Sequence, residues 1–172
     1  MNPVTNKIYV ANLGDNTVTV IDGATNSTAA ITVGSGPDSV VVNPASNQIY
    51  VTNSGSSSVT VIDGATNSTT TVATGSEPVS VAVNPVTNQI YVANNLSSNV
   101  TVIDAVTNST TTIGVGSSPD SVAVNPVTNK IYVANLGDNT VTVIDRATNS
   151  TTAVAAGSGP VSVAVNPVTN QI

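Results

Sequence analysis

The chain has 172 residues, no cysteine and no histidine, and its formal net charge is −6, from 3 Lys and Arg against 9 Asp and Glu. The missing cysteine and histidine exclude disulfides, thiol catalysis, imidazole bases and zinc sites of the usual ligand types. An acidic chain without basic clusters has no electrostatic footprint for nucleic acid, and no apolar run approaches the roughly 18 residues of a membrane span.

One segment recurs along the chain. Residues 2–12 read NPVTNKIYVAN. Close copies follow at a fixed step of 41 residues, beginning at Asn43, Asn84, Asn125 and Asn166. A period of about 20–50 residues is typical of repeat architectures, in which one repeat alone cannot bury its apolar faces.

The first repeat predicts four short strands. Residues 7–12 (KIYVAN) carry the β-branched and aromatic side chains of a strand, and residues 17–22 (TVTVID) alternate without a strongly polar face, as in a strand covered on both sides. A more polar strand is predicted over 27–33, and a fourth over 39–42. Asn, Asp, Gly and Pro fill the intervening turns.

Four short antiparallel strands per repeat are the blade unit of a β-propeller, so the sequence predicts an all-β propeller of four-stranded antiparallel blades. No apolar stripe of helical period is present, and Pro and Gly recur at every junction. A β-solenoid and a β-sandwich are the alternatives. Solenoid coils are usually shorter, and a sandwich has no reason for an exact repeat.

The segments IYVAN or IYVTN, then TVTVID, then G-x-x-P-x-S-V-A-V-N-P resemble the YVTN β-propeller repeat over essentially residues 2–172. The resemblance implies a propeller, often extracellular or on the cell surface as in surface-layer proteins, and no single activity. It also implies a strand order from the central channel outward: SVAV, IYVAN, TVTVID and the STAAITV-type segment.

We expect one domain over residues 1–172, with permuted repeats 2–42, 43–83, 84–124 and 125–165 and a fifth that begins at 166–172. The four visible repeats form either a four-bladed ring or part of a larger one. Because Met1 stands where other repeats carry valine, and Ile172 lies inside a predicted strand, we expect a fragment or a trimmed piece. The last inner strand, 162–165, could close a ring with the first three strands, or two chains could share inner strands in an eight-bladed dimer. We favour an open or self-closed monomer.

The apolar residues of the first repeat define the predicted core, together with their equivalents in later repeats. They are Ile8, Val10, Val18, Val20, Ile21, Val40 and Val42. One tyrosine per repeat is expected to pack in this core with its hydroxyl hydrogen-bonded. These are Tyr9, Tyr50, Tyr91 and Tyr132.

Strands of alternating direction place their loops on two opposite faces. We call the face of the turns between second and third strands and of the linkers to the innermost strands the variable face, because its sequences differ between repeats. The uniform face carries the NPVTN-type and GATNS-type turns. The candidate binding residues are the acids of the variable face: Asp15, Asp38, Glu77, Asp120 and Asp138. They serve either solubility or attraction of a cation or basic partner. Asp38 and Asp120 are placed to face each other across the channel.

Other recurring polar residues have structural interpretations. Four aspartates are predicted to accept backbone hydrogen bonds in the turn that follows the third strand: Asp22, Asp63, Asp104 and Asp145. Four serines near the channel mouth are predicted to be sheet-edge hydrogen-bond donors: Ser39, Ser80, Ser121 and Ser162. Five asparagines match glycosylation acceptors, although the four in NST segments also fit an ordinary turn: Asn26, Asn67, Asn99, Asn108 and Asn149.

No catalytic constellation is apparent, so the sequence favours a protein that is not an enzyme and needs no cofactor. We expect an extracellular or cell-surface propeller that acts as a structural or binding scaffold through its acidic variable face, with possible self-association through open blade edges. The alternative is a fragment of a lactonase-like or quinoprotein-like propeller enzyme whose active residues lie outside this stretch. A third hypothesis is a purely structural array, because residues 2–22 and 125–145 are identical and indicate recent duplication.

Overall fold

The computed structural model describes residues 1–172, and strands joined by turns make up nearly all of it. The strands are β1 (Lys7–Asn12), β2 (Thr17–Asp22), β3 (Thr28–Thr32), β4 (Pro37–Asn43), β5 (Gln48–Asn53), β6 (Ser58–Asp63), β7 (Thr69–Ala73), β8 (Pro78–Asn84), β9 (Gln89–Asn94), β10 (Asn99–Asp104), β11 (Thr110–Gly114), β12 (Pro119–Asn125), β13 (Lys130–Asn135), β14 (Thr140–Asp145) and β15 (Ser150–Ala155). Two single 3₁₀ turns, Ser54–Ser56 and Asn95–Ser97, are the only helical segments.

The strands form four antiparallel sheets, each made of consecutive strands. We call them the first blade (β1–β3), second blade (β4–β7), third blade (β8–β11) and fourth blade (β12–β15). The last three blades have four strands, and the first has three. The predicted propeller architecture of antiparallel blades is therefore confirmed, with one blade incomplete.

The strand order within each complete blade is also as expected. In the second blade Tyr50 of β5 pairs with Val41 of β4 on one side and with Val61 of β6 on the other. The edge strands β4, β8 and β12 of successive blades contact one another. These innermost strands therefore surround the axis about which the blades turn, and the polar strands β7, β11 and β15 lie outermost.

Neighbouring blades pack through two different apolar faces, because side chains alternate along each strand. The second blade contributes Tyr50, Val59, Val61 and Val72 to one cluster, and the third blade contributes Ile90, Val92 and Ile103. We call these the Tyr face and the Ile face of a blade. The same pairing joins the first to the second blade and the third to the fourth.

The predicted core is correct for the inner blades and partly wrong for the first. Val18 and Val20 are buried, whereas Val10 is 41% exposed and Ile8 and Ile21 are only half-buried. Their equivalents on the Ile faces of later blades are fully buried, including Ile49 and Val51. The difference arises because no blade covers the Ile face of the first blade. Val40 and Val42 are half-buried on an innermost strand.

Residues 162–165 do not form the closing strand that the sequence suggested. They pair with no strand of the first blade, and the ring is open. The segment nevertheless follows the inner edge of the fourth blade, since the N–H of Val163 donates a 3.3 Å hydrogen bond to Ser121 Oγ.

Candidate functional site

The turns and linkers assigned to the variable face do meet there. The N–H of Ser54 donates to the Gly36 carbonyl at 2.8 Å, and the N–H of Asn95 donates to the Glu77 carbonyl at 2.8 Å. Each linker thus crosses the turn between the second and third strands of the blade that it enters. Sequence alternation alone predicted this grouping, because loops of antiparallel strands alternate between ends.

Asp38 and Asp120 begin the innermost strands β4 and β12, two blades apart. Asp38 is exposed and Asp120 is half-buried. Partial burial raises the pKa of Asp38 above the usual aspartate range, and the negative charge of Asp120 raises it further. The structure therefore brings these two predicted site residues into electrostatic contact at the channel mouth.

Asp138 has a different environment from the channel pair. Its Oδ2 accepts a 2.6 Å hydrogen bond from the N–H of Ser117 in the linker between the third and fourth blades. In the other complete blades a serine hydroxyl does the same, with Ser56 accepting from Ser35 and Ser97 from Ser76. Asp138 thus fixes a linker. Asp15, its equivalent in the first blade, is exposed and its carboxylate has no hydrogen-bond partner.

Glu77, the fifth acid, is half-buried and has a positive φ of 54°. The equivalent linker position is Gly36 in one repeat and Gly159 in another, each with φ near the same value, and Ser118 in a third. This conformation favours glycine, because a Cβ in left-handed geometry is close to the backbone. The sequence gives no hint of this strain beyond the Gly, Glu, Ser, Gly alternation.

The channel serines accept hydrogen bonds, whereas donation was expected. Ser80 Oγ accepts from the N–H of Val122 at 3.3 Å, and Ser121 Oγ accepts from the N–H of Val163 at 3.3 Å. Each serine therefore satisfies an otherwise unpaired edge amide of the next innermost strand. None of them has a base that would activate it as a nucleophile.

The aspartates of the uniform face have the predicted turn role. Asp63 Oδ1 accepts from the N–H groups of Ala65 at 2.8 Å and Thr66 at 2.9 Å. These backbone hydrogen bonds stabilise the carboxylate and lower the pKa of Asp63, and equivalent bonds lower the pKa values of Asp22 and Asp104. Asp145 accepts from Ala147 in the same way.

Sequence reasoning missed a set of buried asparagine contacts on the uniform face. The first Asn of each NPVTN-type turn is buried, and its Nδ2 donates to the last Asn of the turn in the next blade. The pairs are Asn2–Asn47, Asn43–Asn88, Asn84–Asn129 and Asn125–Asn170. The signal was present as two asparagines four positions apart in every repeat, and only the spatial offset of one blade was unknown.

The tyrosines of the middle blades pack as predicted. Tyr50 and Tyr91 are fully buried, and their hydroxyls donate to Gln48 Oε1 at 2.7 Å and Gln89 Oε1 at 2.9 Å. The hydroxyl of Tyr9 is buried without a partner. Arg146 lies over the Tyr91 ring, with its Cζ 5.7 Å from the ring centroid, and joins the fourth blade to the third.

The NST asparagines occupy left-handed turn positions, with φ between 56° and 60°. Asn26, Asn67 and Asn149 are exposed and Asn108 is half-buried. Asn99 differs, because its Oδ1 accepts from Asn94 and its Nδ2 donates to the Ser97 carbonyl. Their glycosylation remains untested.

The largest cleft lies away from Asp38 and Asp120, between the third and fourth blades, and measures about 530 Å³. Glycines and threonines line it, and Asp138 is its one titratable side chain. The structure brings no three carboxylates, imidazoles or thiols together as a potential metal centre. It contains no helix of the length and hydrophobicity needed to cross a membrane.

Solved structures share this blade array. A streptogramin B lyase superposes with a TM-score of 0.82 at 13% identity, over 94% of this chain and 56% of that chain. The hydrazine synthase of Kuenenia stuttgartiensis gives a TM-score of 0.80 at 22% identity, over 92% and 49%. The dihydro-heme d1 dehydrogenase NirN gives 0.78 at 20% identity, over 92% and 37%. The chain therefore spans about half or less of the length of these proteins.

No protein-family model and no curated protein matches the chain. The resemblance to YVTN repeats therefore remains a prediction, whereas the β-propeller fold is established by the structure and its neighbours. The expectation that the chain is not an enzyme is wrong as drawn from the sequence, because lyase and dehydrogenase propellers share its fold. The absence of histidine from four blades does not separate this chain from propellers that carry enzymatic activity.

Proposed function

We propose that the chain forms the channel wall of a β-propeller enzyme and that Asp38 and Asp120 bind a cationic group of the substrate at the channel mouth. The observation that supports this proposal is the coupling of the two carboxylates: the charge of Asp120 contributes to raising the pKa of Asp38. Like charges that raise each other's pKa are stabilised by a positive charge placed between them. An ammonium or guanidinium group supplies that charge.

In this proposal the groups that make or break bonds lie outside these blades. Between the opening residue and the closing Asn, the innermost strands β4, β8 and β12 carry only Ser, Val and Ala. Their serines have no imidazole or other base within reach and are already hydrogen-bonded to the next blade. The blades thus supply recognition and a rigid frame. An extracellular or cell-surface location is part of the proposal, and the resemblance to YVTN-type propellers supports it.

The test is a titration of the chain with an Arg- and Lys-containing peptide, followed by isothermal calorimetry. We expect the wild type to bind, and the Asp38→Asn/Asp120→Asn double variant to lose that binding. The matched control is Asp63→Asn/Asp104→Asn, which removes the same charge from exposed turns of the uniform face and keeps the amide acceptor. Equal binding by both double variants would reduce the acidic face to a role in solubility.

A further inference from the structure

The two ends of the blade array expose complementary apolar surfaces. The fourth blade leaves its Tyr face open, where Tyr132, Val141, Val143 and Val154 form a groove with Ile172 of about 260 Å³. Val154 is 50% exposed there, while its equivalents Val72 and Ile113 are buried. The first blade leaves its Ile face open, including Val10.

The same two ends also expose complementary strand edges. The β1 strand has no inner partner, although every later second strand has one. Residues 162–165 lie at an innermost position beside β12, held by the Val163–Ser121 hydrogen bond, and have no second strand to pair with. One end thus lacks the strand that the other end carries.

The repeats specify how these edges fit. Residues 160–166 (PVSVAVN) are identical to β8, and residues 7–12 (KIYVAN) are identical to β13. The β12–β13 ladder places Val122 opposite Val133 and Ala123 opposite Tyr132. One step of the repeat further, the same register places Val163 opposite Val10 and Ala164 opposite Tyr9.

We propose that a second copy of this chain covers both ends, so that two chains close one eight-bladed ring. Each chain lends residues 160–165 to β1 of the other and packs its open Tyr face on the other's open Ile face. The blade-to-blade contact already present three times within the chain is the template. Eight blades lie within the usual propeller range of about 4–8.

Self-closure is disfavoured by the curvature of the array. Four blades superpose on about half of a solved lyase propeller, so the open ends of one chain face away from each other. A ring of two chains would bring two Asp38–Asp120 pairs to one channel mouth. The pairing itself does not depend on the proposed function.

One segment has to yield at each junction. Residues 166–172 (NPVTNQI) repeat residues 2–8 (NPVTNKI), and both adopt the same turn with the same Asn pairing. Only one of the two can occupy the junction. A chain without residues 166–172 should therefore associate at least as tightly as the full chain, whereas a chain without 157–172 should not associate.

The register is tested by cross-linking, which the absence of native cysteine simplifies. We expect the Val10→Cys/Val163→Cys variant to oxidise to disulfide-linked pairs of chains on a non-reducing gel. The control variant Val86→Cys/Val127→Cys places thiols on exposed turns and reports random collision. A disulfide within one chain, or cross-linking no greater than in the control, would overturn the proposal.

Light scattering on the full chain gives an independent readout. The expected mass is twice the 17.1 kDa of one chain, and Val10→Asp should return it to the mass of one chain with the circular dichroism spectrum unchanged. If Val10→Asp does not fold, the two deletions described above make the same distinction. A wild-type mass of one chain throughout the accessible concentration range would refute the ring of two chains.

Discussion

Asn43 Nδ2 donates a 2.7 Å hydrogen bond to Asn88 Oδ1, which joins the second blade to the third at the uniform face. The same side chain uses its Oδ1 to accept from the N–H of Ala45, so it also fixes its own turn. The relationship repeats from blade to blade with an offset of 45 residues. One buried amide per repeat therefore sets both the turn geometry and the spacing of blades.

Substitution of such an asparagine should be costly. Asn84→Ala removes the bond to Asn129 and leaves the turn N–H groups of Val86 and Thr87 without their acceptor. We expect a loss of about 1–3 kcal/mol in the free energy of unfolding, measured by urea denaturation. The control Val86→Ala changes an exposed side chain of the same turn and should stay within about 0.5 kcal/mol. Equal stability of the two variants would contradict the structural role.

The sequence predicted the repeat, the blade and the strand order, because alternation and turn residues are local properties. The partner of Asn43 could not be predicted in this way, since it depends on how far one blade rotates relative to the next. The exposure of Val10 likewise depends on whether a neighbouring blade is present. Local pattern therefore determines the blade, and packing between blades determines what each repeated residue does.

Tyr50 should be among the most sensitive core positions. Its ring is fully buried between the second and third blades, and its hydroxyl donates to Gln48. Tyr50→Ala should cost about 3–5 kcal/mol, as for other buried aromatic side chains. Tyr50→Phe keeps the ring and should cost about 0.5–1.5 kcal/mol for the lost hydrogen bond. Thermal unfolding compares the two, and a cost under about 1 kcal/mol for Tyr50→Ala would show that the ring is not part of the core.

The candidate site was predictable in part for a related reason. Alternation of loops placed all five acids on one face, and the structure confirms that the linkers and turns of this face meet. It could not distinguish the roles of these acids, which depend on contacts between blades. Asp138 caps a linker, whereas Asp38 and Asp120 influence each other's ionisation across an intervening blade.

Glu77 offers a test of backbone strain on the variable face. Its φ of 54° is a geometry that two other repeats assign to glycine. Glu77→Gly should therefore stabilise the chain by about 1 kcal/mol if the relief exceeds the added flexibility of the unfolded chain. Gly36→Ala should do the opposite, since its Cβ would lie 2.9 Å from Ser54 Oγ. Chemical denaturation of the pair measures both effects, and a destabilising Glu77→Gly would indicate that the Glu77 side chain has a role in the fold.

The pH dependence of stability should separate the two faces. The pKa of Asp63 is lowered in the folded state, so its stabilising contribution is present above the unfolded pKa of about 3.9 and is lost as the pH falls through the folded value. The pKa of Asp38 is raised, so its contribution has the opposite sign and is lost as the pH rises through the folded value.

Asparagine variants make that difference measurable. Asp63→Asn should reduce the loss of melting temperature on acidification, whereas Asp38→Asn should raise the melting temperature at neutral pH and have a smaller effect in acid. Both variants remove one negative charge, so a general effect of net charge would shift them equally. Identical shifts at every pH would therefore refute the assignment of opposite signs.

Alkaline titration tests the environment of the buried tyrosine. Burial, with a further contribution from the negative charge of Asp104, raises the pKa of Tyr50 to about 12. A raised folded-state pKa means that this contribution to stability is complete below the ordinary tyrosine value of about 10 and is lost as the pH rises through the folded value. We expect the phenolate absorbance of Tyr50, obtained as the difference between wild type and Tyr50→Phe, to rise later than that of a free tyrosine. Asp104→Asn should lower this pKa without returning it to the ordinary value, because burial is the larger cause. Asp63→Asn is the control, since it changes the equivalent turn of the second blade. An unshifted Tyr50 titration in the wild type would show that water reaches the ring between the second and third blades.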